Sequence, residues 1–224
     1  MRRKSRVLIA CPCYPQGIAV FPSVRRAIDR IARRGECEVV YLRRPLSEGE
    51  CGYSNITANY QRARLLALER RVDALLCIEA DLLPPDDALE RLNATGADVV
   101  YGLYAWRGQR LWNAYTTVAE DRGVSLSADP RRAQAAWGRI VDVEGVGLGC
   151  TLIRRPVLEC VDFRLPDDLA EGTCCDWMFA LDCKRLGFTQ RAHLGVVCGH
   201  FLHHPSSGSL WPDPSAEALW RISP

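Results

Sequence analysis

Short apolar runs alternate with amphipathic stretches along the first hundred residues. Arg6–Cys11 (RVLIAC) is a continuous apolar run, the pattern of a strand buried on both faces. Ser23–Arg34 places Val24, Ala27, Ile28 and Ile31 on one face, which predicts a helix with Ser23 as its cap and Gly35 as its stop. Glu38–Leu42 reads as a second strand, and Thr57 to about Arg71 as a helix capped by Thr57. Asp73–Ile78 is a third strand. Pro84-Pro85-Asp86-Asp87 then has the composition of a helix start, with proline in the first turn and acids against the positive end of the dipole. That helix runs to Asn93, Gly96 ends it, and Asp98–Tyr101 is a fourth strand. The order β-α-β-α-β-α-β predicts an α/β fold with a Rossmann-like, mostly parallel sheet flanked by helices.

The second half is less periodic. Leu111–Val118 reads as a strand, and residues 121–137 as a loop with a helical piece. Val141–Arg154 is apolar but carries Gly145, Gly147 and Gly149, which in a strand mark a bulge or a close backbone approach. Pro156–Cys160 and Cys175–Leu186 are helical, Leu194–Cys198 is a last strand, and HHPSSGSLWPDPS reads as loop. There is no repeat and no linker, so one domain is expected. Residues 1–101 would form its nucleotide-binding half, 102–200 its acceptor-side half, and 201–224 a flexible tail.

Composition narrows this picture little. The 224 residues are 48% hydrophobic and 25% charged, with a net charge of +2, which excludes a general attraction for nucleic acid or anionic membrane. The eleven cysteines are odd in number and several lie inside apolar runs, a pattern of reduced thiols in a cytoplasmic protein. No C-x-x-C pair exists, which disfavours a cysteine-rich zinc protein. The start MRRKSRVLIAC has a basic end, but its apolar stretch, Val7–Ala10, is shorter than the roughly 7–15 residues of a signal-peptide core. No segment reaches the length of a membrane-spanning helix. The totals leave a homo-oligomer open.

The chemistry concentrates at DALLCIEADLLPP, residues 73–85. Here a buried strand runs into two acids, Glu79 and Asp81. Ligands of open α/β sheets bind outside the carboxyl ends of the strands. Positions i and i+2 of a strand point the same way, so both acids can share one cation. Hard carboxylate oxygens suit Mg²⁺ or Mn²⁺. The bland alternative is a solvated turn that caps the next helix, a duty Asp86 and Asp87 already serve.

The block LLCIEADLLPPDDALERLNATGADVVYGLYAW, ending at Trp106, resembles the core of nucleotide-sugar-dependent glycosyltransferases of the GT-A fold, most of all small family-2-type members. VEGVGLGCTLIRRPVLE (143–159) is similar to their glycine-rich strand. CCDWMFALDCKRLGF (174–188) is similar to their E-D-x-x-F segment, and VVCGHF (196–201) to the late strand ending in a metal-binding histidine. The sequence departs from the pattern at Glu79 and Cys175, where aspartate and an acid are usual, and at Arg43 and Arg44, which stand where an acid follows strand two.

The resemblance implies a metal-dependent transfer of a sugar from a UDP- or GDP-sugar to an acceptor. Asp81 and His200 would hold Mn²⁺ or Mg²⁺, with Glu79 touching the ion through water or holding the donor. Cys11, Pro12, Tyr14, Arg64, Glu79, Ala80 and Asp81 would line the donor side, and Gly147, Gly149 and Trp177 the acceptor side. Asp176 would be the catalytic base. Rival readings stay open. Asp176 could cap its helix, and His200 could be a core histidine with His203 or His204 as the ligand. One of Arg62 and Arg64 could lie on a solvated face, and residues 202–215 could close as a lid. At the level of function, the rivals are a non-catalytic nucleotide- or sugar-binding protein of this fold and a sugar nucleotidyltransferase.

Overall fold

The computed structural model describes residues 5–13, 20–45, 48, 52–108, 110–119, 122–145, 147–166, 174–202 and 208–223. Strands β1 (Val7–Pro12), β2 (Glu38–Leu42) and β3 (Ala74–Ile78) form a parallel unit with β1 in the middle. Helix α1 (Pro22–Gly35) and helix α2 (Gly52–Glu69) connect them. After β3 come a two-residue strand β4 (Leu82–Leu83), helix α3 (Ala88–Ala94) and strand β5 (Val99–Leu103). A hairpin, β6 (Tyr115–Val118) and β7 (Gly123–Ser125), precedes α4 (Pro130–Ala136) and β8 (Ile140–Asp142). Then follow β9 (Cys150–Arg154), α5 (Arg155–Cys160), α6 (Cys175–Arg185) and β10 (Gln190–Val197). The chain ends in β11 (Gly199–Phe201), β12 (Ser209–Pro212) and β13 (Trp220–Ser223).

The main sheet has seven strands in the order β2-β1-β3-β9-β5-β10-β8. The α/β class expected from the pattern is the one observed. The parallel strands are interrupted near the centre, because β3 and β5 do not pair. The antiparallel strand β9 lies between them, Leu76 opposite Leu152 on one side and Val100 opposite Leu152 on the other. All but the last residue of β9 is buried, so it fills a central slot that water-facing strands cannot take.

The central strands are buried on both faces, and their alternate residues feed two apolar layers. Leu8, Ala10, Leu75 and Cys77 pack with α2, α5 and α6, including Tyr60, Ala63, Leu158 and Phe179. Val7, Ile9, Cys11, Leu76 and Ile78 pack on the other side with Val24, Ile28, Leu89 and Leu92 of α1 and α3. All ten cysteines among the described residues are free thiols, and seven of them are buried.

Several helix boundaries differ from those expected. Helix α1 begins at Pro22 with Phe21 in the cap position, so Ser23 lies inside it, and its left-handed terminus is Glu36 (φ 54°) rather than Gly35. Helix α2 begins five residues early, at Gly52, and Thr57 donates its hydroxyl to the Tyr53 carbonyl one turn back at 2.7 Å. Residues 84–87 are irregular chain and turn, not helix, and Asp87 makes no side-chain cap bond. Asp86 instead pairs with Arg30 of α1 at 2.8 Å.

The segment read as a loop tail also has structure. Strands β13, β12, β11 and β4 form a second, antiparallel sheet of four. Trp112, fully buried, donates its indole N–H to the Leu219 carbonyl at 2.8 Å and so anchors the last turn of chain. Residues 203–207, with His203 and His204, lie outside the described residues, as does Tyr14. No helix among the described residues is long and apolar enough to cross a membrane.

Candidate active site

The strand β3 ends at Ile78, and both acids lie on the turn that follows it. The Leu82 N–H donates to the Glu79 carbonyl at 3.1 Å, closing that turn. Strand alternation therefore does not set their directions; the turn does. Two-residue β4 then pairs with β11, Leu82 opposite His200 and Leu83 opposite Gly199. The Phe201 N–H donates to the Asp81 carbonyl at 2.9 Å. This short ladder carries His200 to Asp81.

His200 is buried, 7% exposed. Its Nδ1 lies 2.9 Å from the Ala105 carbonyl oxygen, which can only accept, so Nδ1 carries the proton. The Tyr104 ring packs against the imidazole edge-on at 5.5 Å between centroids. Nε2 is the ring's other nitrogen. It is buried without a hydrogen-bond partner among the described residues. Asp81 Oδ2 faces it at 3.7 Å, beyond hydrogen-bond reach. Asp81 itself is 6% exposed, and the same Oδ2 forms an ion pair with Arg107 Nη1 at 2.9 Å. Burial pushes the Asp81 carboxyl up, but His200 and Arg107 outweigh it and hold it below the usual range.

Glu79 is turned elsewhere. Its Oε1 accepts the Tyr60 hydroxyl at 2.7 Å, and its backbone N–H donates to the Gly149 carbonyl at 2.8 Å. A Cβ built on Gly149 would lie 3.0 Å from Glu79 Oε2 and would overlap the Leu82 side chain. Absence of a side chain at Gly149 is thus what lets the start of β9 close over the acids. Gly149→Ala is expected to cost about 1–3 kcal/mol through overpacking. A thermal melt reads this directly, and an unchanged midpoint would mean that Leu82 can move aside freely. Gly147 has φ +94°, a conformation a side chain disfavours, and a Cβ there would lie 2.5 Å from the Tyr104 hydroxyl.

Burial, then the charge of Asp81, push the Glu79 carboxyl up to about 7, with Tyr60 and His200 opposing. The folded state therefore binds this proton more tightly than the unfolded chain does. The resulting stabilisation is full below the ordinary carboxylate value and is lost as pH rises through about 7. Between pH 5 and pH 8, in chelator, the protein is expected to lose about 2–3 kcal/mol relative to Glu79→Gln. Urea unfolding at the two pH values measures it; parallel pH dependences in the two proteins would remove the explanation.

Glu79 and His200 border a cavity of about 280 Å³. Tyr53, Ile56 and Tyr60 of α2 form one wall, and Tyr104, Trp106 and Arg107, just past the end of β5, form another. Leu148 adds an apolar contact, and Cys174, Cys175 and Asp176 enter from the start of α6. Asp176 is in the first turn of α6 but is not its cap, the position Cys174 occupies. Its Oδ1 accepts the Trp177 N–H at 3.2 Å and the Cys174 thiol. Burial pushes the Asp176 carboxyl up, and these donors only partly oppose it.

The cavity gathers Glu79, Asp176 and His200, with Asp81 behind His200 and Arg107, but not every residue expected there. Cys11 and Pro12 are the last residues of β1, and Cys11 is fully buried in the apolar layer against α1. Ala80 is buried and its carbonyl accepts the Phe21 N–H at 3.1 Å. Arg64 points away, donating to the Leu158 carbonyl at 2.7 Å and pairing with Asp162 at 2.6 Å, so it ties α2 to α5. Trp177 donates its indole N–H to the Ala119 carbonyl at 2.9 Å and packs on Tyr115, outside the cavity. Tyr60, Tyr104, Trp106 and Arg107 line the cavity without having been expected there. For the last three a signal exists: GLYAWRG directly follows a predicted parallel strand, where ligands of such sheets bind.

Glu79, expected to touch the ion through water or to hold the donor, has Oε1 engaged by the Tyr60 hydroxyl. Among the described residues no three His, Cys, Asp or Glu side chains form a metal-binding group. Two ligands fit nevertheless. The unpartnered Nε2 and the Asp81 oxygen lie 3.7 Å apart, and an imidazole nitrogen and a carboxylate are both ligand types for such an ion. Mg²⁺ and Mn²⁺ accept such a minimal set when substrate phosphates and water complete it.

The overall arrangement is similar to that of a solved structure, A197 from STIV. The two chains are 20% identical over 98% of this chain and 94% of that one, with a TM-score of 0.59. At that identity the likeness is one of fold. Looser matches, both with a TM-score of 0.41, are a glycosyltransferase involved in the glycosylation of the major capsid of PBCV-1 and the inositol-1-phosphate CTP transferase from T. maritima. The first is 9% identical over 69% of this chain and 62% of that one, the second 12% over 86% of both. No family model and no curated protein matches the sequence.

Proposed function

We propose that this protein transfers a glycosyl group from a nucleotide-sugar donor to an acceptor hydroxyl, with help from a divalent ion. The observation that carries the reading is the buried, unpartnered His200 Nε2 beside Asp81 Oδ2, next to a cavity that Asp176 also lines. Asp81 and His200 would hold Mn²⁺ or Mg²⁺. When bound, such an ion supplies positive charge to a departing diphosphate.

The chain's own groups do the rest. Tyr104 and Trp106 offer aromatic walls to the base or the sugar. Glu79, held by Tyr60 through Oε1, lines the cavity, where a donor hydroxyl can bind. Asp176 takes the proton of the acceptor hydroxyl as its oxygen attacks the anomeric carbon. Burial makes that carboxylate a stronger base than an exposed one. The Cys174 thiol and the Trp177 N–H orient it through Oδ1 and leave Oδ2 for the acceptor.

A thermal-shift panel of nucleoside diphosphates with and without Mn²⁺ tests the proposal. A ligand at about 100 times its Kd is expected to stabilise the protein by about 2.7 kcal/mol, and only with the ion present. Donor turnover should release a nucleoside diphosphate. Release of pyrophosphate would point to nucleotidyl transfer instead, and the absence of any Mn²⁺-dependent shift would remove the donor site altogether.

A further inference from the structure

Asp81 already has a cation. Arg107 Nη1 lies 2.9 Å from Oδ2, the oxygen that also faces His200 Nε2. The same Nη1 donates to the Phe201 carbonyl at 3.1 Å. Among the described residues these are the contacts of the Arg107 side chain, and both run through one of its three nitrogens. The guanidinium therefore holds Asp81 by a corner, with Nε and Nη2 still able to donate. The side chain is 25% exposed and lines the cavity from a turn closed by the Arg110 N–H on the Trp106 carbonyl at 2.7 Å.

This ion pair is an incomplete solution to the local electrostatics. It neutralises Asp81 but leaves His200 Nε2 without a partner. A buried polar atom without a partner is costly, and such an atom in an otherwise satisfied site marks a place for something that binds. In this structure the guanidinium reaches the carboxylate and not the imidazole. A compact divalent ion could serve both. The two cations cannot share one carboxylate oxygen without strong repulsion at close range.

We propose that Arg107 is a displaceable counter-ion: it occupies Asp81 in the ligand-free protein, gives way when a divalent ion binds Asp81 and His200, and then donates to the donor's diphosphate. This rests on the donor-binding reading above and adds a sequence to it. Arg107 keeps the buried carboxylate neutralised when the site is empty of ligand. It weakens metal uptake in the absence of nucleotide, and it couples the two binding events, because the displaced fork suits a phosphate bidentately.

Electron paramagnetic resonance of Mn²⁺, titrated with protein, reads the exchange without activity. In the absence of nucleotide, Arg107→Gln is expected to take up Mn²⁺ at least about tenfold more tightly than the wild type, since the competing charge is gone. Arg107→Lys, which keeps a charge, should stay near the wild type, and Asp81→Asn/Arg107→Gln should take up none. With Mn²⁺ saturating, Arg107→Gln should bind UDP or GDP about tenfold more weakly. Equal or weaker Mn²⁺ uptake by Arg107→Gln, or identical gains in the Gln and Lys variants, overturns the exchange. If tighter Mn²⁺ uptake is seen but the wild type binds no nucleoside diphosphate, exchange at Asp81 stands and the donor reading fails.

Discussion

Asp81→Asn is expected to reduce donor turnover by about 10²- to 10³-fold, the loss seen when one preorganised charge-stabilising group is taken from a site. The substitution keeps the shape of the side chain and removes its charge. The His200 Nε2 then faces an amide, and Arg107 loses its anionic partner. Mn²⁺ uptake should disappear with turnover, because a lone imidazole is a poor site for a hard cation. Stability should change by only about 1–2 kcal/mol, since the introduced amide carbonyl can still accept from a quarter-exposed arginine. Release of nucleoside diphosphate, followed continuously, measures the first effect and spin resonance the second. Wild-type turnover in this variant would place the chemistry elsewhere.

The second large effect belongs to Asp176. Replacing it by asparagine is expected to slow transfer about 10²- to 10⁴-fold, the range for a general base, while leaving nucleotide and Mn²⁺ binding intact. Its ionised form is the active one. Because burial raises its titration above the ordinary carboxylate value, the wild-type rate should climb with pH over a limb displaced upward from that value. The variant should lose that limb. Retention of the same pH profile at a reduced rate would assign Asp176 to positioning α6 and return the search to another base. Glu79 is the group to watch there, since it shares the cavity and titrates near about 7.

These two acids are legible in the sequence, and for different reasons. Asp81 stands out because a run of buried residues ends on it, and burying charge at a strand end is costly without a partner. Asp176 stands out because CCDWMF resembles the E-D-x-x-F segment of glycosyltransferases. Arg64 misleads because helix periodicity gives a face but not what that face meets; in the fold it meets Leu158 and Asp162. Cys11 misleads by position: it ends the apolar run, but β1 runs on to Pro12, so Cys11 lies inside the sheet and away from the cavity. Tyr60 gives no signal, since an aromatic residue at a helical spacing reads as core, which on its ring side it is.

Local periodicity determined most of the early elements, because whether a segment buries one face, two or none depends on residues a few positions apart. Strands β1, β2, β3 and β5, and the inner face of α1, follow from that alone. Strand order did not. That β9 separates β3 from β5 depends on which apolar run fills the central slot of the sheet, a competition among segments distant along the chain. The pairing of β4 with β11 is further from reach still. Two leucines carry no periodicity, and their partner lies near the other end of the chain. Yet that pairing alone sets His200 beside Asp81, and the turn after β5 alone brings Arg107 to the same oxygen. Local patterning marked the acids and the strand that runs into them; long-range backbone pairing chose what stands opposite their charge.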